Sequence, residues 1–201
     1  MTTVQDRPVD GFAAARRAMI DCQLRVSGVN EEYVLTAINK VGREHHVPES
    51  AQALAYIDRA VSLGNGQFLA APLFYGQTLT EAAPKAEDKV LIVDGGSGYL
   101  PALVRTIAGS VDVIDATEAT RGTAGNGDYT LLLIDGAIEE LPDNLSGRLA
   151  DNGRLVTGIV DRGVTRLTVG RKAAGEVALL TIIEMGIPVL PEFARPKGWS
   201  F

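Results

Sequence analysis

The apolar positions of the N-terminal third recur with helical spacing. Phe12, Ala15, Met19, Cys22 and Val26 follow one another at steps of three and four, which is one face of a helix. We therefore expect these five side chains, including the thiol of Cys22, to pack into a core.

Further helices are predicted on both sides of Pro48. Val34, Leu35, Ile38 and Val41 form the apolar stripe of a second helix, which Gly42 ends. A short helix is predicted at residues 51–56, and another begins at Pro72 and runs to about Ala83.

The pattern changes at Lys89, where short apolar runs begin to alternate with helical segments. Strands are predicted at residues 89–93, 111–114, 129–134 and 154–159, and helices at 99–108 and 139–149. Two later runs, 167–169 and 177–183, are predicted as antiparallel strands. This order favours an α/β fold with a doubly wound, mainly parallel sheet. We expect an N-terminal helical subdomain (residues 1–84) and a Rossmann-like core (residues 85–201) within one structural unit.

Composition narrows the classes of function. The net charge is −6, the pI is about 5.0 and aromatic residues make up 5%, so nucleic-acid binding is not expected. A single cysteine favours a reducing compartment. No secretory signal and no run of about 18 apolar residues is present, so we expect a cytoplasmic protein without a membrane partner. The adjacent His45 and His46 suggest no third metal ligand by their spacing, and no metal site is predicted.

A glycine-rich turn, residues 94–98, lies between a predicted strand and a predicted helix. Ligands of open α/β sheets bind at the carboxyl ends of strands, and glycines allow a close approach to the backbone. Asp115 ends the next strand, where an acid can accept hydrogen bonds from both hydroxyls of a ribose. A nucleoside ligand is therefore indicated. NAD fits less well because Pro101 stands where a third glycine is needed, and a plain turn without a ligand remains open.

Several segments, read together, resemble the protein-L-isoaspartate O-methyltransferases. Residues 18–29 resemble the N-terminal helix of that family, 43–48 its Pro-Arg-Glu…Phe-Val-Pro loop, 64–72 its Gly-x-Gly-Gln-Thr-x-Ser-x-Pro substrate loop, and 90–99 its S-adenosylmethionine turn. Residues 153–156 and 188–193 also look like the family, so the resemblance spans nearly the whole chain.

The resemblance implies a methyltransferase fold and transfer of a methyl group to damaged aspartyl residues, a protein-repair role. The implied substrate-binding residues are Gly66, Gln67, Phe68, Leu69, Ala70 and Pro72. The implied S-adenosylmethionine-binding residues are Asp94, Gly95, Gly96, Ser97, Gly98 and Asp115, with Asp135 as a candidate substitute for the Asp-Gly pair that the family places beside adenine. No general base is needed, because the attacking carboxylate is already ionised at neutral pH.

The chain departs from the family pattern at three places. Ile92 holds the position of the turn's first acid, and Asp94 that of its first glycine. Phe68 and Ala70 replace the Thr and Ser of the substrate loop, so both hydroxyls are gone. Only the thirteen residues 116–128 separate Asp115 from the next strand, where the family has a helix, a strand and the Gly-Asp-Gly motif.

Thirteen residues cannot hold that unit, which needs roughly 25–30 residues. We therefore expect residues 116–127 to form a direct loop, and residues 116–128 to contain neither a paired strand nor a helix of two turns. S-adenosylmethionine binding is expected to be weak or absent, and isoaspartyl transfer weak or lost. The alternative is a non-catalytic relative that serves as a binding or assembly scaffold. Without a third strand, strand 111–114 becomes an edge of the sheet, which favours a homodimer or a cover formed by residues 116–128.

Overall fold

The computed structural model describes residues 9–122 and 127–195. The helices are α1 (Val9–Met19), α2 (Glu32–Lys40), α3 (Pro72–Ala82), α4 (Tyr99–Val104), α5 (Ala116–Arg121) and α6 (Asp143–Ser146). The strands are β1 (Val61–Gly64), β2 (Gln67–Leu69), β3 (Lys89–Asp94), β4 (Ser110–Asp115), β5 (Tyr129–Ile138), β6 (Leu149–Asp161), β7 (Val164–Ala173) and β8 (Glu176–Glu184). No helix in this part of the chain is long and apolar enough to cross a membrane.

Within the described residues, six strands form one mixed sheet in the order β4-β3-β5-β6-β7-β8. The first four are parallel, and β7 and β8 continue the sheet as antiparallel strands. The predicted α/β fold with antiparallel C-terminal strands is therefore confirmed. The sequence pattern did not reveal the separate hairpin of β1 and β2, which carries part of the proposed substrate loop.

Hydrophobic side chains cover both faces of the sheet. Successive residues of a strand point to opposite faces. Val90 and Ile92 accordingly belong to the core shared with the N-terminal helices, whereas Leu91 and Val93 belong to the core on the other face. The division at residue 84 remains a prediction, but one core contains side chains from both of the segments that it separates.

The first helical segment differs from the expected pattern at Cys22. A π-helical turn, Ile20–Leu24, follows α1 and inserts an extra residue into the helical repeat. The buried face therefore moves from Met19 to Leu24, whereas Cys22 is exposed and Val26 is 74% exposed. The prediction that Cys22 and Val26 lie in the core is wrong for this reason.

Two predicted helices are shorter than expected. The segment at 99–108 is helical only over α4, and the segment at 139–149 only over α6. In the second case residues 139–142 lie outside any helix or strand, and Leu149 already begins β6, where it pairs with Tyr129 of β5.

The link after β4 contains a short helix. The prediction of a direct loop over 116–127 is wrong for residues 116–121, which form α5. Asp115 caps this helix, since its Oδ1 atom accepts the N–H of Glu118 at 2.7 Å. At six residues, α5 is shorter than two turns. No strand lies within 116–122 or 127–128, and residues 123–126 of the predicted loop are outside the described part.

Candidate functional site

A cavity of about 260 Å³ opens at the carboxyl end of the parallel strands. The hairpin, the glycine turn, the ends of β4 and β5, and a C-terminal segment surround it. Its described lining residues are Asn65, Gly66, Gln67, Phe68, Asp94, Gly95, Gly96, Asp115, Ala116, Thr117, Asp135, Pro188, Val189, Leu190, Pro191 and Glu192. The predicted cofactor and substrate segments thus meet at one place.

The glycine turn is shaped by close backbone contacts. Gly96 and Gly98 have φ angles of +102° and +64°, which favour glycine. The Asp94 carboxylate accepts the N–H of Gly98 at 3.0 Å and so closes the turn. A Cβ on Gly95 would overlap the carbonyl oxygen of Asp135, and a Cβ on Gly96 would lie 2.5 Å from the amide of Gln67. The turn therefore packs against β5, and the hairpin lies over it.

Asp135 lies at an irregularity of β5. Leu133 pairs with Val156 and Ala137 with Gly158, so β5 advances four residues where β6 advances two. Bulges of this kind re-aim side chains beside functional sites. Asp135, in the bulged segment, lines the cavity, although the residue is only 4% exposed.

The two oxygens of Asp135 have different surroundings. Oδ2 accepts the hydroxyls of Ser97 at 3.2 Å and Tyr75 at 3.4 Å. Oδ1 is buried and has no hydrogen-bond partner among the described residues. Burial, and then the neighbouring charge of Asp94, raise the pKa of Asp135 to about 7.

Behind Asp135, a buried arginine connects the site to the substrate loop. Arg43 donates to the carbonyl oxygens of Ala55 and Ala70, both at 2.7 Å, and lies over the rings of Tyr75 and Tyr99. The N–H of Ala70 in turn donates to the Tyr75 hydroxyl at 3.2 Å. The sequence shows Tyr75 only as an apolar helix position, so no pattern identified its role here.

The predicted site residues occupy three kinds of position. Eight line the cavity: Gly66, Gln67, Phe68, Asp94, Gly95, Gly96, Asp115 and Asp135. Ser97 and Gly98 shape the turn by hydrogen bonds. Leu69, Ala70 and Pro72 are buried and do not line the cavity. His46 lies beside the turn, with Nδ1 2.9 Å from the carbonyl oxygen of Ser97.

The C-terminal wall was not predicted as part of the site. Residues 188–192 line the cavity and lie along β5. Two hydrogen bonds hold them there: the N–H of Ala137 donates to the Pro188 carbonyl at 2.8 Å, and the N–H of Leu190 donates to the Ala137 carbonyl at 2.9 Å. The contact depends on tertiary pairing, which no local pattern indicates. A second cavity of about 480 Å³ adjoins the first, and Phe68 and Pro188 line both.

The charged residues that are described in the lining of the first cavity are all acidic. Asp94, Asp115, Asp135 and Glu192 line it, and none of its described lining residues is lysine, arginine or histidine. Carboxylates accept hydrogen bonds and attract cations. The cavity is therefore suited to hydroxyls and positively charged groups.

This fold and turn define an α/β protein of the methyltransferase type, and comparison gives its family. The family model for protein-L-isoaspartate(D-aspartate) O-methyltransferase (PCMT) matches residues 14–121. A relative from Roseiflexus sp. (strain RS-1), named protein-L-isoaspartate O-methyltransferase, is 31% identical over 75% of this chain and 80% of its own. A relative of the same name from Koribacter versatilis is 29% identical over 83% of this chain and 86% of its own. The chain belongs to the PCMT family.

A solved structure shares the fold. The Plasmodium falciparum structure that carries the name protein-L-isoaspartate O-methyltransferase, in complex with S-adenosyl-L-homocysteine, superposes with a TM-score of 0.68. The alignment covers 90% of this chain and 98% of that chain, at 17% identity. At this identity the likeness supports the fold, and the family assignment depends on the sequence matches.

Proposed function

We propose that the chain binds S-adenosylmethionine weakly and transfers its methyl group to isoaspartyl carboxylates at a reduced rate. The observation that carries the proposal is the cavity itself. It unites the glycine turn, Asp115 on the neighbouring strand and the substrate hairpin. However, β4 is the edge of the described sheet, so the further strand that the family has after this position is absent from the described residues. The single cysteine supports a cytoplasmic location for this function.

The residues present suit two parts of the cofactor. The close approach that Gly95 and Gly96 permit, and the unpartnered Oδ1 of Asp135, suit the methionine portion, which carries cationic groups. Asp115, at the end of β4, suits the ribose hydroxyls. When bound, S-adenosylmethionine would supply an electrophilic methyl group. Where the resemblance places the family's adenine-binding unit in the sequence, this chain has α5, and Ala116 and Thr117 of its first turn line the cavity.

Phe68 and Ala70 are the reason why we expect a reduced rate of methyl transfer. An ionised carboxylate acceptor needs positioning and exclusion of water rather than a base. Phe68, 39% exposed, lies between the two cavities and excludes water, but its ring offers no hydrogen bond to orient a carboxylate. Ala70 is buried and has no hydroxyl. The chain therefore lacks both hydroxyls of the family loop, and of the two positions only Phe68 lines the cavity.

The experiment is transfer of labelled methyl from S-adenosylmethionine to an isoaspartyl peptide. Phe68→Thr restores the hydroxyl that the family carries and should raise the rate by roughly 10-fold, the value of one oriented hydrogen bond to a charged group. Phe68→Val, which has nearly the same shape as Thr without the hydroxyl, is the matched control and should not. Equal rates for the two variants would contradict this account of the loop.

A scaffold function is the second candidate, and the position of β4 favours it. This strand has no partner on its outer side among the described strands, and Val113 is 37% exposed. Exposed strand edges favour pairing with another chain. A homodimer through residues 111–114 would sediment as a dimer, and Val113→Lys should convert it to a monomer. A monomeric wild-type chain at micromolar concentration would remove the support for this candidate.

A further inference from the structure

The buried carboxylate of Asp135 has one unused acceptor. Oδ2 is held by Ser97 and Tyr75, which fixes the carboxylate plane, while Oδ1 has no partner among the described residues. A buried polar atom without a hydrogen bond costs free energy comparable to its desolvation. The residue lines the cavity, so a bound ligand can supply the missing donor.

The charges around Asp135 select the kind of donor. Asp94 faces it from the end of β3, and Arg43 is the cation behind it. Arg43 donates through two of its nitrogens to the backbone carbonyls of Ala55 and Ala70, and its third nitrogen is buried without a hydrogen-bond partner among the described residues. On the cavity side, the described lining contains acids and no base. A positively charged donor therefore gains Coulomb energy from several carboxylates at once, whereas a neutral donor gains only the hydrogen bond.

We propose that Asp135 binds a positively charged group of the ligand through Oδ1. The proposal rests on the proposed function, since it concerns the same cavity. The cationic group has two possible sources: the sulfonium or ammonium of S-adenosylmethionine, and an ammonium group on the methyl acceptor. In both cases Asp135 is a specificity-determining residue that distinguishes charged from neutral ligands.

Calorimetric titration of four probes tests the proposal. S-Adenosylmethionine carries a sulfonium and an ammonium, S-adenosylhomocysteine only the ammonium, and 5′-methylthioadenosine neither; ethylamine hydrochloride, added with S-adenosylhomocysteine present, represents the acceptor. The variant is Asp135→Asn, whose amide oxygen can still accept from Ser97 and Tyr75. Asp161→Asn, at an exposed site outside the cavity, is the control.

Asp135→Asn should weaken binding of at least one cationic probe about 10-fold or more and change 5′-methylthioadenosine less than about 2-fold. If only the affinity for S-adenosylmethionine falls, Asp135 binds the sulfonium. If the affinities for both S-adenosylmethionine and S-adenosylhomocysteine fall, it binds their ammonium group. If the affinity for ethylamine falls, it binds an ammonium group of the acceptor. Unchanged affinities for all cationic probes overturn the proposal. If the wild-type chain binds no nucleoside, the proposed function fails, while ethylamine, then titrated alone, still tests Asp135.

A second measurement does not depend on the folding of the variant. A cation bound at Oδ1 stabilises the ionised carboxylate, so Asp135 releases a proton when the ligand binds below pH 7. Titrations of the wild-type chain at pH 6.5 in two buffers of different ionisation enthalpy should show net proton release with the cationic probe that binds. In a chain whose urea unfolding shows the raised pKa of Asp135, binding of that probe without proton release would contradict the proposal.

Discussion

The hydroxyl of Ser97 donates to Oδ2 of Asp135 at 3.2 Å and so joins the glycine turn after β3 to the bulge of β5. The two residues lie 38 positions apart in the chain, Ser97 in the turn after β3 and Asp135 on the neighbouring parallel strand β5. The bond closes one wall of the cavity and leaves Oδ1 of Asp135 without a partner among the described residues. Ser97 is therefore a positioning residue for Asp135.

Asp135 should make the stability of the chain depend on pH. Its folded-state pKa is about 7, well above the ordinary value near 4, because of burial and then the charge of Asp94. The folded state thus holds the proton more tightly than the unfolded state, and the stabilisation present below about pH 4 is lost as pH rises to about 7. Urea unfolding from pH 4.5 to 8 should show this loss in the wild-type chain relative to Asp135→Asn. Parallel curves for the two proteins would show that Asp135 keeps an ordinary pKa.

Asp88 should have the opposite effect. Burial raises the pKa of Asp88, but hydrogen bonds from Arg154 and Thr130 outweigh burial and lower it to about 2. This stabilisation is present above about pH 4 and is lost as pH falls toward 2. Asp88→Asn should cost about 2 kcal/mol of unfolding free energy at pH 7, with less difference at pH 2.5. A cost that does not change between these pH values would point to packing instead of charge.

Gly95 should not tolerate a side chain. A Cβ there would overlap the backbone carbonyl of Asp135, which cannot move without disturbing β5. Gly95→Ala should lower the unfolding free energy by about 1–3 kcal/mol. Gly186→Ala is the matched control, because a Cβ at Gly186 meets no described atom within 4 Å. Equal stability of the two variants would mean that the turn does not pack on β5 in this way.

Cys22 should react in the folded protein. The π-helical turn carries it to the surface, and it is the one cysteine of the chain. A thiol-specific reagent at pH 8 should therefore label the native protein at a rate within about 10-fold of the urea-unfolded protein. Labelling that occurs only after unfolding would show that Cys22 is buried, as the helical spacing suggests.

The strands were predictable because a buried parallel strand needs a continuous apolar run. Residues 89–93 show such a run, and β3 forms there with both faces covered. Cys22 was misplaced because a π-turn shifts the helical face without a signal in the spacing. Helix 139–149 was predicted too long, since only residues 143–146 are helical; at its end Leu149 begins β6 and pairs with Tyr129, a tertiary contact that has no local signature.

The site was predictable only where backbone chemistry leaves a local signature. Gly96 and Gly98, with their positive φ angles, are visible as glycines in the sequence. The same holds for Asp115, which ends a strand. The roles of Tyr75 and Leu190 depend on contacts between distant segments, so periodicity and spacing could not show them.

Calorimetric titration with S-adenosylmethionine tests the central claim most directly. Under our proposal the short link after β4 removes the family's adenine contacts, so binding should be weaker by a factor on the order of 100 than that of an intact family member measured alongside. Asp115→Asn, which keeps a helix-capping side chain, should weaken the residual binding further, whereas Asp112→Asn on the same strand but outside the cavity should not. Affinity equal to that of the intact member, with clear turnover of an isoaspartyl peptide, would contradict the account.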